Sequence, residues 1–281
     1  MKCFYHSADL DGKCSGAIVK HRFPNCEMIG FDYGLRFPWE TIEAGEQVIM
    51  VDVSLDMGEM MQLHTLTNFT WIDHHLSAMK EADAKGFNPP GVRTVGLSAC
   101  ELAWAYFFPT LPLPRAVRLL GRYDVWDKTD PNAELFNYGM RGEESEPGEP
   151  IWLALFLNHK PDTDEIIKKG LGILRYQDEC DALYAKQQAF DTMFEGLPAV
   201  VLNVRGNSRT FKSVYRPLIH ELMIMFYLRK DGKWNISLYS DKSHVDCSAI
   251  CKKFGGGGHK GAAGFQPEEL PQNLKNGIPR K

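Results

Sequence analysis

Residues 47–53 read QVIMVDV, and this short run decides the fold. Its apolar side chains follow one another without polar alternation, as in a strand covered on both faces inside a parallel sheet. Upstream, KCFYH (2–6) reads as a shorter strand ending at His6. A helical pattern follows over 12–22, where Ser15, Gly16 and Ala17 allow close packing. Downstream comes a helix carrying Met57, Met60, Met61 and His64, then the strand FTWID (69–73), which ends at Asp73-His74-His75. Repeated β-α alternation predicts an α/β fold: an open, mostly parallel sheet with helices on both faces.

Beyond this sheet, helical tracts are expected over 98–108 and 115–123, separated by the proline-rich TLPLP. The acidic RGEESEPGEP (141–150) reads as a surface loop. A helical stretch from 164 to about 195 serves as a connector. Residues 198–265 predict a strand at AVVLNV, a helix near 217–227 and a strand at KWNISLYS, with a loose tail from Gln266. The expected organisation is a catalytic domain over 1–160, a helical connector over 161–195, a smaller α/β domain with a mixed sheet over 196–270, and a tail over 271–281.

Composition narrows the function. The chain has 281 residues, is 44% hydrophobic and 24% charged, and carries a net charge of -4. No global basic field marks a nucleic-acid coat protein, so a phosphate-bearing substrate needs a local site, metal ions or both. No run reaches the ~18 apolar residues of a membrane span, and charged residues come too early for a signal peptide. Seven cysteines lack CxxC pairs. They read as reduced thiols in a cytoplasmic protein, neither a disulfide frame nor a structural zinc site.

Four clusters carry chemistry: His6-Ser-Ala-Asp9-Leu-Asp11, Asp52 in VDVS, Asp73-His74-His75, and Asp124 in GRYDVWD. The first three sit where an apolar strand gives way to a loop. In an open α/β sheet the ligand crevice lies outside those strand ends, so the clusters converge. Packed carboxylates repel one another and lose hydration unless cations compensate them. Two divalent ions about 3.5–4 Å apart meet that need and suit phosphoryl chemistry, with one carboxylate shared between them. Mixed His and Asp donors suit manganese, with iron, cobalt and zinc also acceptable. Taken singly, each residue has a plainer reading. His6 could be an ordinary polar strand end, Asp9 and Asp11 could be helix caps, and Asp52 a loop acid. Asp124 could pair with Arg122 or Arg118. The order and joint spacing favour the metal.

Further on, Gly255, Gly256, Gly257 and Gly258 run into His259 and Lys260. Four glycines let backbone N–H groups approach an anion, and the two side chains add charge-assisted donors. Nine cationic residues in the second half, among them Arg209, Lys212, Arg216 and Lys253, could add local positive charge, although most surface cations are simply solvated.

With these residues in place, the chain resembles the DHH phosphoesterase superfamily, in the branch with a DHH-associated domain. That branch includes nano-RNases and cyclic dinucleotide phosphodiesterases. HSADLDG, VDVS, WIDHH, RYDVWD and FGGGGHKGAAGF occur in the family's order. The resemblance implies that His6 and Asp9 hold one metal, that Asp11, His74 and Asp124 hold the other, and that Asp52 bridges them. Asp127 competes with Asp124 for its place. It also implies that His75 contacts the scissile phosphate or donates a proton, that Asp73 orients a histidine, and that His259 with the glycine loop binds a substrate phosphate or terminal nucleotide across an interdomain cleft. Relatives often carry Ser-Leu-Arg-Ser before that loop, whereas this chain reads Ser237-Leu238-Tyr239-Ser240. Tyrosine can stack on a base but cannot neutralise a phosphate. The implied activity is a two-metal, manganese-dependent phosphodiesterase that cuts short oligonucleotides to 5′-mononucleotides through a metal-bridging hydroxide. Rival substrates are cyclic dinucleotides, bisphosphonucleotides and polyphosphate, and a non-catalytic nucleotide-binding module is the rival from another class. Phe31, Phe37 and Trp39 are candidates for base stacking or for core. No membrane partner is expected, and a homodimer stays open.

Overall fold

In the computed structural model, which describes residues 1–275, the chain begins with strand β1 (Lys2–His6), helix α1 (Leu10–Arg22) and strand β2 (Glu27–Phe31). The apolar run forms β3 (Gln47–Val51). It is followed by α2 (Met57–Leu66), β4 (Asn68–Asp73), α3 (Leu76–Ala84) and the short β5 (Gly91–Arg93). All five strands pair in parallel, in the order β2-β1-β3-β4-β5. The chain therefore winds outward in opposite directions from β1 and β3, and the crevice of such a sheet opens at the carboxyl ends of that pair.

Strand side chains alternate between two cores, which explains the unbroken apolar run. Cys3, Tyr5, Ile49, Val51 and Ile72 face one core, and Phe4, Val48, Met50, Phe69 and Trp71 face the other. On the first face lie α1, α4 (Ala99–Phe107), α5 (Arg115–Asp124), α6 (Pro131–Met140) and α7 (Pro150–Phe156). On the second lie α2 and α3, through Met57, Met60, Leu63 and Ala82. Each fully buried side chain of this size contributes about 1.5–3 kcal/mol. Phe31 and Phe37 are buried here and Trp39 packs against them, so these aromatics are core rather than stacking platforms.

The chain divides into two compact units, Met1–Leu174 and Arg175–Lys281, with the division inside the long α8 (Thr163–Gln188). The second unit holds β6 (Phe190–Phe194), β7 (Leu197–Leu202), β8 (Leu222–Leu228), β9 (Trp234–Tyr239), α9 (Cys247–Lys252), β10 (Gly257–Gly258), β11 (Ala262–Phe265) and α10 (Gln272–Lys275). Its sheet is mixed, in the order β10-β11-β9-β8-β7-β6, with β7 and β8 the parallel pair. The helix expected near 217–227 is instead a turn followed by β8. LMIMFYL lies between β7 and β9, with its first five residues buried. A continuous apolar run suits a doubly covered strand as well as a buried helix, and here the strand pairing decides. Residues 266–275, expected as loose, place Leu270 and Leu274 in the core beside Ile236 and Phe265, while 276–281 lie outside the described residues. Among the described residues, no helix is long and apolar enough to cross a membrane. All seven cysteines are free thiols.

Candidate metal centre

His6 is the last residue of β1, and the α1 N-terminus starts three residues later at Asp9. Asp9 caps that helix, accepting the Gly12 amide at 3.0 Å, while its other oxygen lies 3.1 Å from His6 Nδ1. The capping and ligand readings therefore describe two oxygens of one carboxylate. Gly12 makes this approach feasible, because a Cβ there would sit 2.0 Å from the His6 carbonyl oxygen. Asp52 follows β3 directly, with φ at 60°, a left-handed conformation that asparagine and aspartate tolerate better than most residues. Its carboxylate reaches both ways: Oδ2 lies 3.6 Å from His6 Nδ1, and Oδ1 lies 3.3 Å from His74 Nε2.

His74 Nε2 also lies 3.4 Å from Asp124 Oδ2 and 3.8 Å from Asp11 Oδ2. Asp11 is 3% exposed, and its two oxygens accept the Ala99 and Cys100 amides, each at 2.9 Å. These are orphan donors at the first turn of α4, whose N-cap Ser98 and Glu101 complete a capping box. The helix N-terminus thus fixes Asp11 and favours its negative charge. Two donor groups result, His6-Asp9-Asp52 and Asp11-His74-Asp124, each with its ligand atoms within 4.8 Å of one another.

A third grouping, Asp52-His74-His75, has the same compactness. His75, however, is engaged elsewhere, with its Nδ1 only 2.6 Å from Asp73 Oδ1. That oxygen also accepts the His74 and His75 amides, at 2.7 and 3.2 Å. The Trp71 indole donates to Asp73 Oδ2 at 3.2 Å, so a wholly buried carboxylate has partners on both oxygens. With Nδ1 committed to Asp73, Nε2 is the His75 nitrogen left for other chemistry.

Electrostatically the cluster is short of positive charge. Burial, reinforced by Asp11, pushes the Asp52 carboxyl well above the usual range. Burial, then Asp11 and Asp52, pushes Asp124 up to about 9. Burial alone would lower His6, but Asp52 and Asp9 overcome it and raise the imidazole to about 10. Asp9 stays low despite its burial, because His6 and the Gly12 amide hold its charged form. Two buried atoms, His6 Nδ1 and Asp52 Oδ1, have no hydrogen-bond partner; the 3.1 Å approach of Asp9 to the first lacks the alignment. Surplus carboxylates, an orphaned oxygen and mixed N and O donors fit divalent cations.

The remaining candidates fall elsewhere. Asp127 accepts the Thr129 amide at 2.9 Å and lies 3.9 Å from Arg122, so Asp124 is the residue that joins the cluster. In the glycine loop, the amides of Gly255, Gly256 and His259 donate to the carbonyls of Lys252, Cys251 and Ala262. A Cβ on Gly256 would lie 2.2 Å from the Gly264 carbonyl, so close strand packing already requires a glycine there. The side chains of His259 and Lys260 are exposed at the β10–β11 turn. Several second-half cations are paired: Arg209 and Lys212 with Asp178, Arg216 with Asp191, and Lys253 with Glu195. Tyr239 packs against Met223, Met225 and Phe211 on the sheet face away from α9. Sequence reasoning missed Trp71, the α4 amides, and the loop bearing Asp32 and Tyr33, which reaches His6. None of these has a spacing signal, since each depends on strand order bringing distant segments together.

No family model matches the sequence. A curated relative, the uncharacterized protein R106 of Acanthamoeba polyphaga mimivirus, is 28% identical over 240 residues, covering 78% of this chain. The match spans 53% of R106, so the chain corresponds to about half of that relative's length. Among solved structures, a DHH domain described as a member of the s1p family of ribosomal proteins superposes with a TM-score of 0.58 at 14% identity, covering 95% of this chain and 82% of that one. The pGpG-specific phosphodiesterase PggH of Vibrio cholerae superposes with a TM-score of 0.54 at 15% identity, covering 95% and 92%. The architecture agrees with the fold that the resemblance implies: the chain shares the fold of that DHH domain and of PggH.

Proposed function

We propose that the chain is a phosphodiesterase that binds two divalent cations, manganese by preference, and cleaves short oligonucleotides to 5′-mononucleotides. The observation that carries this reading is the Asp52 carboxylate, which is buried and presents one oxygen to each of two His/Asp groups. His6, Asp9 and Asp52 would hold one ion, and Asp11, His74, Asp124 and Asp52 the other. Bound ions supply Lewis-acid polarisation of the phosphate and an acidic water. The chain's own groups do the rest. The α4 amides keep Asp11 oriented, and Asp73 fixes the His75 ring through Nδ1. His75 is thereby able to hold a proton at Nε2 for the phosphate or the departing oxygen. Support for short substrates comes from the shared fold with PggH, a pGpG-specific phosphodiesterase.

The test is direct. The manganese-loaded protein is given labelled di- to decanucleotides, cyclic dinucleotides, bisphosphonucleotide and polyphosphate, and rates are compared. Mononucleotide release should be highest on short linear chains, lost in Asp52→Ala and retained in the surface control Lys168→Ala. Absence of hydrolysis of every phosphate ester offered would refute the reading.

A further inference from the structure

We infer that Tyr33 is a nucleobase platform at the rim of the metal centre, stacking on a base beside the scissile phosphate; this rests on the nucleotide reading above. The residue sits in the β2–β3 connection, at the corner of a four-residue turn closed by the Leu35 amide donating to the Asp32 carbonyl at 3.2 Å. Gly34, next in the turn, has φ at 86°, as the third position of a type II turn requires. The base of the turn is fixed to β1: the Asp32 carboxylate accepts the Ser7 amide at 3.0 Å and the Ser7 hydroxyl at 2.9 Å. The Tyr33 hydroxyl lies against Ser54, two residues beyond Asp52.

So held, the ring is fixed between both functional imidazoles. Its centroid lies 5.6 Å from that of His6 and 6.0 Å from that of His75, edge to face in each case. Yet Tyr33 remains 53% exposed. A single exposed aromatic is ordinary on a protein surface. One whose turn is tied to Ser7 through Asp32 and that lies against a metal ligand and the proposed proton donor is not explained by core packing. The ring is neutral, so it cannot relieve the local carboxylate excess. What it offers is an apolar face within a few ångströms of where a phosphate must sit, and every nucleobase has a matching face.

A double-mutant cycle across protein and substrate tests this. The manganese-loaded protein, Tyr33→Ala and Tyr33→Phe are assayed on a 5′-phosphorylated dinucleotide, and on the same dinucleotide made abasic at each position in turn. Tyr33→Ala should raise KM on the intact dinucleotide at least about fivefold, as loss of one stacked base predicts. It should leave KM unchanged on the dinucleotide abasic at the stacked position, while Tyr33→Phe stays within about twofold of the parent on both. Calorimetry with adenosine 5′-monophosphate against ribose 5-phosphate should show the same contrast in affinity. Equal losses on intact and abasic substrates, or Tyr33→Phe as impaired as Tyr33→Ala, would overturn the platform and point to the hydroxyl or the loop instead. Failure of the unsubstituted protein to cleave any dinucleotide would refute the nucleotide reading itself, and the platform with it.

Discussion

Asp52→Asn should make the metal-free protein more stable while removing its ability to bind metal as a pair of sites. Asp52 is 1% exposed, one of its oxygens has no hydrogen-bond partner, and the charges of Asp11, Asp9 and Asp73 bear on it. The amide is nearly isosteric, tolerates the left-handed backbone and can donate to a neighbouring carboxylate. Removing a buried charge that His6 compensates only in part is worth about 1–3 kcal/mol, which for a chain of this size corresponds to a Tm rise of roughly 2–10 °C. The gain should grow with pH. Asp124 and His6 both have folded-state values above their ordinary ones, about 9 against 3.8 and about 10 against 6.5. Stability from each is complete below the ordinary value and is lost as pH climbs through the folded one. The chelated parent should therefore weaken from about pH 4 towards 10, and the variant less so, because Asp52 is among the charges acting on both groups. Differential scanning fluorimetry across this range, in chelator and in manganese, reads the effect. Manganese should raise the Tm of the parent and not that of the variant. A lower Tm for Asp52→Asn in chelator would refute the claim that the cluster is electrostatically strained.

Three further outcomes are expected. Trp71→Phe leaves Asp73 Oδ2 buried without its donor, which should lower stability by about 1–3 kcal/mol in denaturant titration and reduce kcat more than KM; unchanged kinetics would show that Asp73 does not need that bond to hold His75. Ser98→Ala removes the cap of α4, for about 1 kcal/mol, and should weaken manganese affinity through Asp11; calorimetry showing parent-like affinity would disprove the link. Gly12→Ala drives a methyl to 2.0 Å from the His6 carbonyl, so the first strand–helix junction should be displaced, with soluble yield, Tm and metal binding falling together.

The unbroken apolar run at 47–53 announced the parallel sheet because a doubly covered strand has no polar face to show. The ends of β1, β3 and β4 then carried the cluster with them, so the convergence of His6, Asp52 and His74 followed from topology. The same signal misleads at 217–227, where the sequence predicts a helix but the chain forms β8 between β7 and β9. The run Gly255–Gly258 reads as an anion-binding loop, whereas Gly256 is a space that the backbone of Gly264 occupies. Positioning groups such as Trp71 and the α4 amides left no trace, because they act through tertiary neighbours and any suitably placed donor would serve.

The left-handed backbone at Asp52 also constrains how this sequence can change. Few side chains accept that conformation, and asparagine, one base change away in the codon, accepts it best. The easiest escape from selection for catalysis is therefore a step that also relieves charge strain and firms the fold. On the proposed activity, a lineage released from selection for cleavage would slide towards Asn at this position and stop there, keeping the shape of the site.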